Sequence, residues 1–185
     1  GSKLVEVQLI SQMQKENEIS IENLKKVEEE KAGYSFPFYA CLIDFPPIEN
    51  QFQLLYNFGI ILQNIDDILD IHEDIEEKTK TVANTLKIND FEKYFNILVH
   101  DFILLLQKNK ASDQTIIVSL ICFGVGWVQI ENLRNALSKK HFHSYSQLSR
   151  DELVCDMRKY VNLKSHLQIV SGKFKQIAYK KGFKN

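Results

Sequence analysis

Between Gln63 and Asp74 the chain reads Gln-Asn-Ile-Asp-Asp-Ile-Leu-Asp-Ile-His-Glu-Asp, a run that sets carboxylates at helical spacing. On a helix turning about 100° per residue, Gln63, Asp66, Asp67, Asp70, Asp74 and Glu77 fall within an arc of roughly 100°. Phe58, Ile61, Leu62, Ile65, Ile68 and Leu69 fill the opposite side. A helix apolar over so much of its circumference is mostly buried, so its acidic stripe must look into a cavity or a narrow polar cleft. Carboxylates three and four residues apart repel by a few tenths of a kcal/mol when exposed, and by more when desolvated. Bound cations relieve that repulsion. All-oxygen ligands on one face suit Mg²⁺ or Mn²⁺, which keep several waters and take further ligands from a phosphate. The plainer alternative, a solvated acidic face, sits poorly with two adjacent aspartates in an apolar frame.

The elements that must hold this stripe are helices. Three prolines and seven glycines interrupt 185 residues, and β-branched alternation is scarce outside the Val118 region. Ser20 suits the N-cap of a charged helix running toward Lys31. Ala32-Gly33 reads as a break or kink, followed by an aromatic, apolar segment from Tyr34 to Ile43 that contains Pro37. Asp44-Phe45-Pro46-Pro47 is a stop, with proline suited to the next helical first turn. From near Ile48 a helix is expected to continue to about Ile75, and Glu76 to Thr85 reads as a polar loop. Further helices are expected at about 90–108, 113–138 and 147–181, with Asp113 and Ser146 as N-caps. The fold class is all-α.

The length predicts one domain. Its charge is nearly balanced, with 23 Lys and Arg against 24 Asp and Glu. Residues 1–92 nevertheless carry a net −10 and residues 93–185 a net +9, a split that can steer an anionic ligand or draw the halves together. The basic residues are dispersed and accompany no recognition signature, which argues against nucleic acid. Cys41, Cys122 and Cys155 have neither disulfide nor zinc spacing and read as buried thiols in a reducing compartment. Gln114 to Ile130 is free of charge, but at 17 residues it is marginal for a membrane span, and a buried core helix is expected. No secretory signal is visible. Gly1-Ser2 looks like the remnant of a tag. A cytoplasmic location is expected, with peripheral membrane association as a variant.

Leu62-Gln63-Asn64-Ile65-Asp66-Asp67-Ile68-Leu69-Asp70 resembles the second aspartate-rich motif of the trans-prenyl diphosphate synthases in the class I isoprenoid synthase family. Gly59 matches that pattern's glycine four residues before the glutamine. Glu30-Lys31-Ala32-Gly33 is similar to the family's Lys-Thr-Gly break, with Ala32 in place of threonine. Glu73 to Thr81 resembles the compact acidic-to-Lys/Thr loop of the shorter bacterial members. The likeness covers roughly residues 20–86 well and the rest loosely. It implies an all-α bundle of the isoprenoid synthase type around a central cavity, where Mg²⁺ holds an allylic diphosphate between two acidic motifs. Diphosphate leaves, and the double bond of isopentenyl diphosphate attacks the carbocation. By position, the resemblance implies that Asp66 and Asp70 are Mg²⁺ ligands and Asp67 a ligand or water-holding neighbour; Asp74, on the same acidic stripe, is a further candidate ligand. Lys31 binds diphosphate, Gln63 orients substrate or the metal shell, and Lys80 closes over phosphate. Among nearby aromatic residues, Phe36, Phe38, Tyr39, Tyr56 and Phe58 are candidates for the apolar wall that a carbocation needs.

The first aspartate-rich motif has no counterpart here. Only 65 residues precede Asp66, Glu28-Glu29-Glu30 reads as a solvated charge run, and Asp44 stands alone. The chain is therefore expected to be the C-terminal portion of such a synthase, lacking the N-terminal helices. In that case the first motif lies on a missing segment or a companion chain. Two alternatives are a non-catalytic subunit of a synthase and a terpene cyclase or squalene/phytoene synthase-like enzyme of the same fold. His72 reads as packed, and His141 and His143 as surface residues. The basic C-terminal segment, from Arg158 to Lys184, reads as a solvated face. A homodimer is a further expectation, with residues 114–130 as one candidate surface.

Overall fold

The computed structural model describes residues 5–6, 11–15, 19–43, 47–140, 168 and 171–173. Among these the chain is all-α. Its helices are α1 (Ile21–Leu42), α2 (Glu49–Leu69), α3 (Ile71–Glu76), α4 (Val82–Thr85), α5 (Ile88–Lys108) and α6 (Asp113–Lys140), preceded by a 3-10 turn at Ser11–Lys15. The expected helix over 147–181, the histidines at 141 and 143, Cys155 and most of the basic C-terminal residues lie outside the described residues. The chain divides into two compact units, Gly1–Asn109 and Lys110–Asn185.

In the first unit α1 and α2 form an antiparallel pair. Ser20 caps α1, its hydroxyl accepting the Asn23 amide at 3.2 Å, as expected. The break at Ala32-Gly33 is not present: α1 continues through Gly33 and through Pro37. The glycine answers to packing instead. A Cβ on Gly33 would stand 2.5 Å from the Tyr56 ring, and one on Gly59 would stand 2.6 Å from the Ala32 carbonyl oxygen and 2.8 Å from the Phe36 ring. Both glycines let the two helices approach closely, a use that outweighs their low helix propensity.

The expected long helix is also divided. α2 ends at Leu69, Asp70 leaves helical geometry (φ −99°, ψ 11°), and α3 starts immediately after it. α3 closes with Lys78 in the left-handed region (φ 56°). There the Thr79 amide donates to the Asp74 carbonyl at 2.8 Å and the Lys78 amide to that of Ile75 at 3.2 Å. This is the Schellman pattern, with lysine where glycine is usual. It turns the chain back so that Thr79–Thr81 return toward α1. α4 is a single turn boxed by Thr81 and Asn84, within a segment expected to be loop.

Helix α5 presents Phe91, Phe95, Val99, Phe102 and Leu106 on one buried face, the 3–4 spacing of an amphipathic helix. It meets α2 through Phe58 and Phe102, whose ring centroids are 5.9 Å apart. It meets α1 through Tyr94, whose hydroxyl donates to Glu29 at 3.0 Å.

In the second unit α6 spans 28 residues. Ser112, rather than Asp113, caps it by accepting the Thr115 amide at 3.2 Å. Phe123, Trp127, Ile130 and Leu133 are buried, whereas Ile117, Val118, Ile121 and Val125 are exposed. By length and composition alone the stretch Asp113–Ser138 can cross a membrane, but 61% of its most apolar window is buried in the structure, as in a core helix. Cys41 and Cys122 are exposed, contrary to the buried thiols expected from their apolar neighbours.

Candidate functional site

The acidic stripe of α2 opens onto a cleft of about 190 Å³ in the first unit, lined by Gln14, Glu28, Lys31, Gln63, Asp66, Asp67, Asp70, Asp74, Thr79 and Thr81. Six of the sequence-predicted site residues therefore meet at one place: Lys31, Gln63, Asp66, Asp67, Asp70 and Asp74. Helix periodicity brings the α2 residues together. Lys31 arrives from α1 because the close antiparallel approach sets the first half of α1 beside the last turns of α2. Asp74 reaches the cleft from α3, and Glu77 lies outside the lining.

Of the five carboxylates in the lining, Glu28 and Asp67 are buried, Asp74 is half-buried, and Asp66 and Asp70 are exposed. Asp67 is 5% exposed; its Oδ1 accepts the Gln63 side-chain amide at 2.7 Å. Its Oδ2 is buried with no hydrogen-bond partner among the described residues. Burial pushes the Asp67 carboxyl up to about 7, with Asp74 and Asp66 adding to the effect against the Gln63 hydrogen bond and Lys31. Burial pushes Asp74 up to about 6, with Asp70 and Glu77 next in importance. Asp66 is raised by burial and by Asp70. Setting so many carboxylates around one cleft, two of them buried, disfavours their ionised forms together.

Four lining residues were not expected. Glu28, read from its neighbours as part of a solvated run, is 2% exposed. Its Oε1 accepts the Val82 amide at 2.7 Å, 54 residues away in sequence. Its carboxyl lies well above the usual range through burial and the nearby Asp67, with the Val82 hydrogen bond opposing. Leu24, Val27, Glu28 and Lys31 share one helix face by 3–4 spacing, and that pattern was the available signal. Gln14 holds Lys80 at two points, donating to its carbonyl at 3.0 Å and accepting its amide at 2.9 Å. Thr79 and Thr81 flank that clamped residue.

The remaining expected substrate residues lie elsewhere. Lys80 is fixed through its backbone beside the cleft without lining it. Phe36 and Tyr56 belong to a ring cluster toward the opposite end of the α1–α2 pair. Phe36 meets Phe58 at 5.7 Å and Tyr34 meets Tyr56 at 5.3 Å, both edge-on. Burial, with Tyr34 and two glutamates, pushes the Tyr56 hydroxyl up to about 12. His72 is nearly buried, 3.6 Å from the Glu73 carboxylate, in keeping with a packed ring.

Among the described residues no three His, Cys, Asp or Glu side chains form a ready-made cage for a metal ion. The donor set still fits Mg²⁺ or Mn²⁺, which take one or two protein carboxylates and complete their shell with water and phosphate oxygens. The buried Asp67 oxygen without a partner is the feature that a cation would satisfy. No protein-family model matches the chain, and neither a curated protein nor a solved structure does.

Proposed function

We propose that the chain is part of a Mg²⁺-dependent prenyltransferase of the class I isoprenoid synthase type, which joins an allylic prenyl diphosphate to isopentenyl diphosphate. The observation that carries this reading is the convergence of Lys31, Gln63, Asp66, Asp67 and Asp70, in the order and spacing of the synthase motif, on one polar cleft that Asp74 also lines. Asp66, Asp67, Asp70 and Asp74 are the residues that would hold the cation. Bound Mg²⁺ would neutralise the charge that develops on diphosphate as it departs. Lys31 adds a fixed positive charge to the same end. Gln63 keeps the Asp67 carboxylate in one orientation through its hydrogen bond, and the Gln14 clamp on Lys80 keeps the Thr79–Thr81 segment at the rim. In this reading Phe36 and Tyr56 belong to the apolar part of the helix pair that keeps water from the carbocation.

The test uses the full natural polypeptide with any companion chain that co-purifies, given an allylic diphosphate and labelled isopentenyl diphosphate. The expected result is longer prenyl diphosphates in the presence of Mg²⁺ and none in the presence of chelator. Diphosphate release from the allylic substrate alone would point to a cyclase. No turnover by either route, with stimulation of a partner synthase, would point to a regulatory subunit.

A further inference from the structure

Among the described residues Glu28 accepts one hydrogen bond, from the Val82 amide to Oε1, and a glutamine would accept that bond equally well. The negative charge is therefore surplus to the fold. Its other oxygen, Oε2, is buried with no hydrogen-bond partner among the described residues, and the side chain lines the acidic cleft. Asp67 shows the same condition from the facing helix: one oxygen is satisfied by Gln63, and Oδ2 is buried and unpartnered. An asparagine could accept that bond too. Burying an ionisable group with half its hydrogen-bonding capacity unused is unfavourable unless something pairs with it. Among the described residues the cleft lining holds five carboxylates and one basic side chain, Lys31, so the lining itself is short of positive charge.

We infer that Glu28 is part of the divalent-cation site, a carboxylate from α1 that faces the aspartates of α2 and helps hold the cation directly or through water. This rests on the proposed function above but adds a residue that the synthase resemblance does not assign. It makes the site two-sided within one unit: Asp66, Asp67 and Asp70 come from α2, Asp74 from α3, and Glu28 from α1. A cation between the two helices has ligands from both, so its binding is tied to their separation. Gly33 and Gly59, which permit the close approach, then set that separation.

Mn²⁺ binding to the full natural polypeptide, followed by the loss of the free-ion electron paramagnetic resonance signal, tests this with Glu28→Gln and Asp66→Asn beside the parent. Thermal melts run in parallel without metal. Glu28→Gln is expected to weaken Mn²⁺ binding by about tenfold or more, while melting at the parent's temperature or above it. A folded Glu28→Gln protein that binds Mn²⁺ as the parent does would overturn the inference. Failure of Glu28→Gln to fold would overturn it as well, because the charge would then serve the fold. Loss of binding in Asp66→Asn alone leaves the proposed function standing without this inference. A parent that binds no Mn²⁺ removes both.

Discussion

The two ends of the α1–α2 pair are built from the same two helices and behave oppositely. At one end, Tyr34, Phe36, Phe52, Tyr56 and Phe58 meet ring against ring, and packing accounts for their placement. At the other end, Glu28 and Asp67 are as deeply buried as core residues, yet each leaves an oxygen without a hydrogen-bond partner among the described residues. Aromatic burial stabilises a helix pair directly. Buried carboxylates work against it, and their presence signals a demand other than stability. In the proposed reading the aromatic end is the frame and the acidic end is the site. The glycines at 33 and 59 lie between them and let both form on one close crossing.

Variants should separate these two roles. The largest effect is expected for Asp66→Asn, which should lower turnover by about 100-fold or more with an unchanged circular dichroism spectrum; parental activity would remove Asp66 from the site. Phe58→Ala should do the reverse, lowering unfolding free energy by about 3 kcal/mol in denaturant titration while leaving Mn²⁺ affinity unaltered. A Phe58 variant with parental stability and weakened metal binding would erase the distinction between the ends.

Gly59→Ala should fall between the two roles. The added methyl meets the Ala32 carbonyl, a backbone atom that cannot swing aside, so overpacking of about 1–3 kcal/mol is expected. Improved helix propensity offsets about 1 kcal/mol of that. Gly33→Ala should be milder, since the Tyr56 ring can move. Comparing the melting temperatures of the two variants checks the order.

The smallest effect is in pH dependence. Asp67 titrates near 3.8 when unfolded and at about 7 when folded, so the folded state holds more of its proton across that window. Its contribution is fully present below 3.8 and is lost as pH rises through 7; Asp74, raised to about 6, acts in the same sense. Between pH 5 and pH 8 the parent's melting temperature should therefore fall more than that of Asp67→Asn. Equal slopes would show that Asp67 is not the buried acid described above.

Much of this was legible in the residue pattern because helices are local. The scarcity of helix breakers marked the span of α5, and the Asp66-Asp67-Asp70 stripe marked the facing side of α2. The misread features depend on partners distant in sequence. Glu28 looks solvated among its charged neighbours, and its burial follows from Val82, which returns by way of the α3 turn. Gly33 looks like a break, and its reason is Tyr56 on the next helix. The interruption at Asp70 carries no proline or glycine to announce it. Cys41 and Cys122 sit among apolar neighbours along the chain but on the exposed sides of their helices.

Calorimetric titration of inorganic diphosphate into the full natural polypeptide, with and without Mg²⁺, tests most directly whether the acidic cleft is a cation-dependent diphosphate site. Binding is expected only when Mg²⁺ is present, and it should be lost in Asp66→Asn and weakened in Lys31→Ala. Diphosphate that binds equally well in chelator, or that binds Asp66→Asn as tightly as the parent, would contradict it.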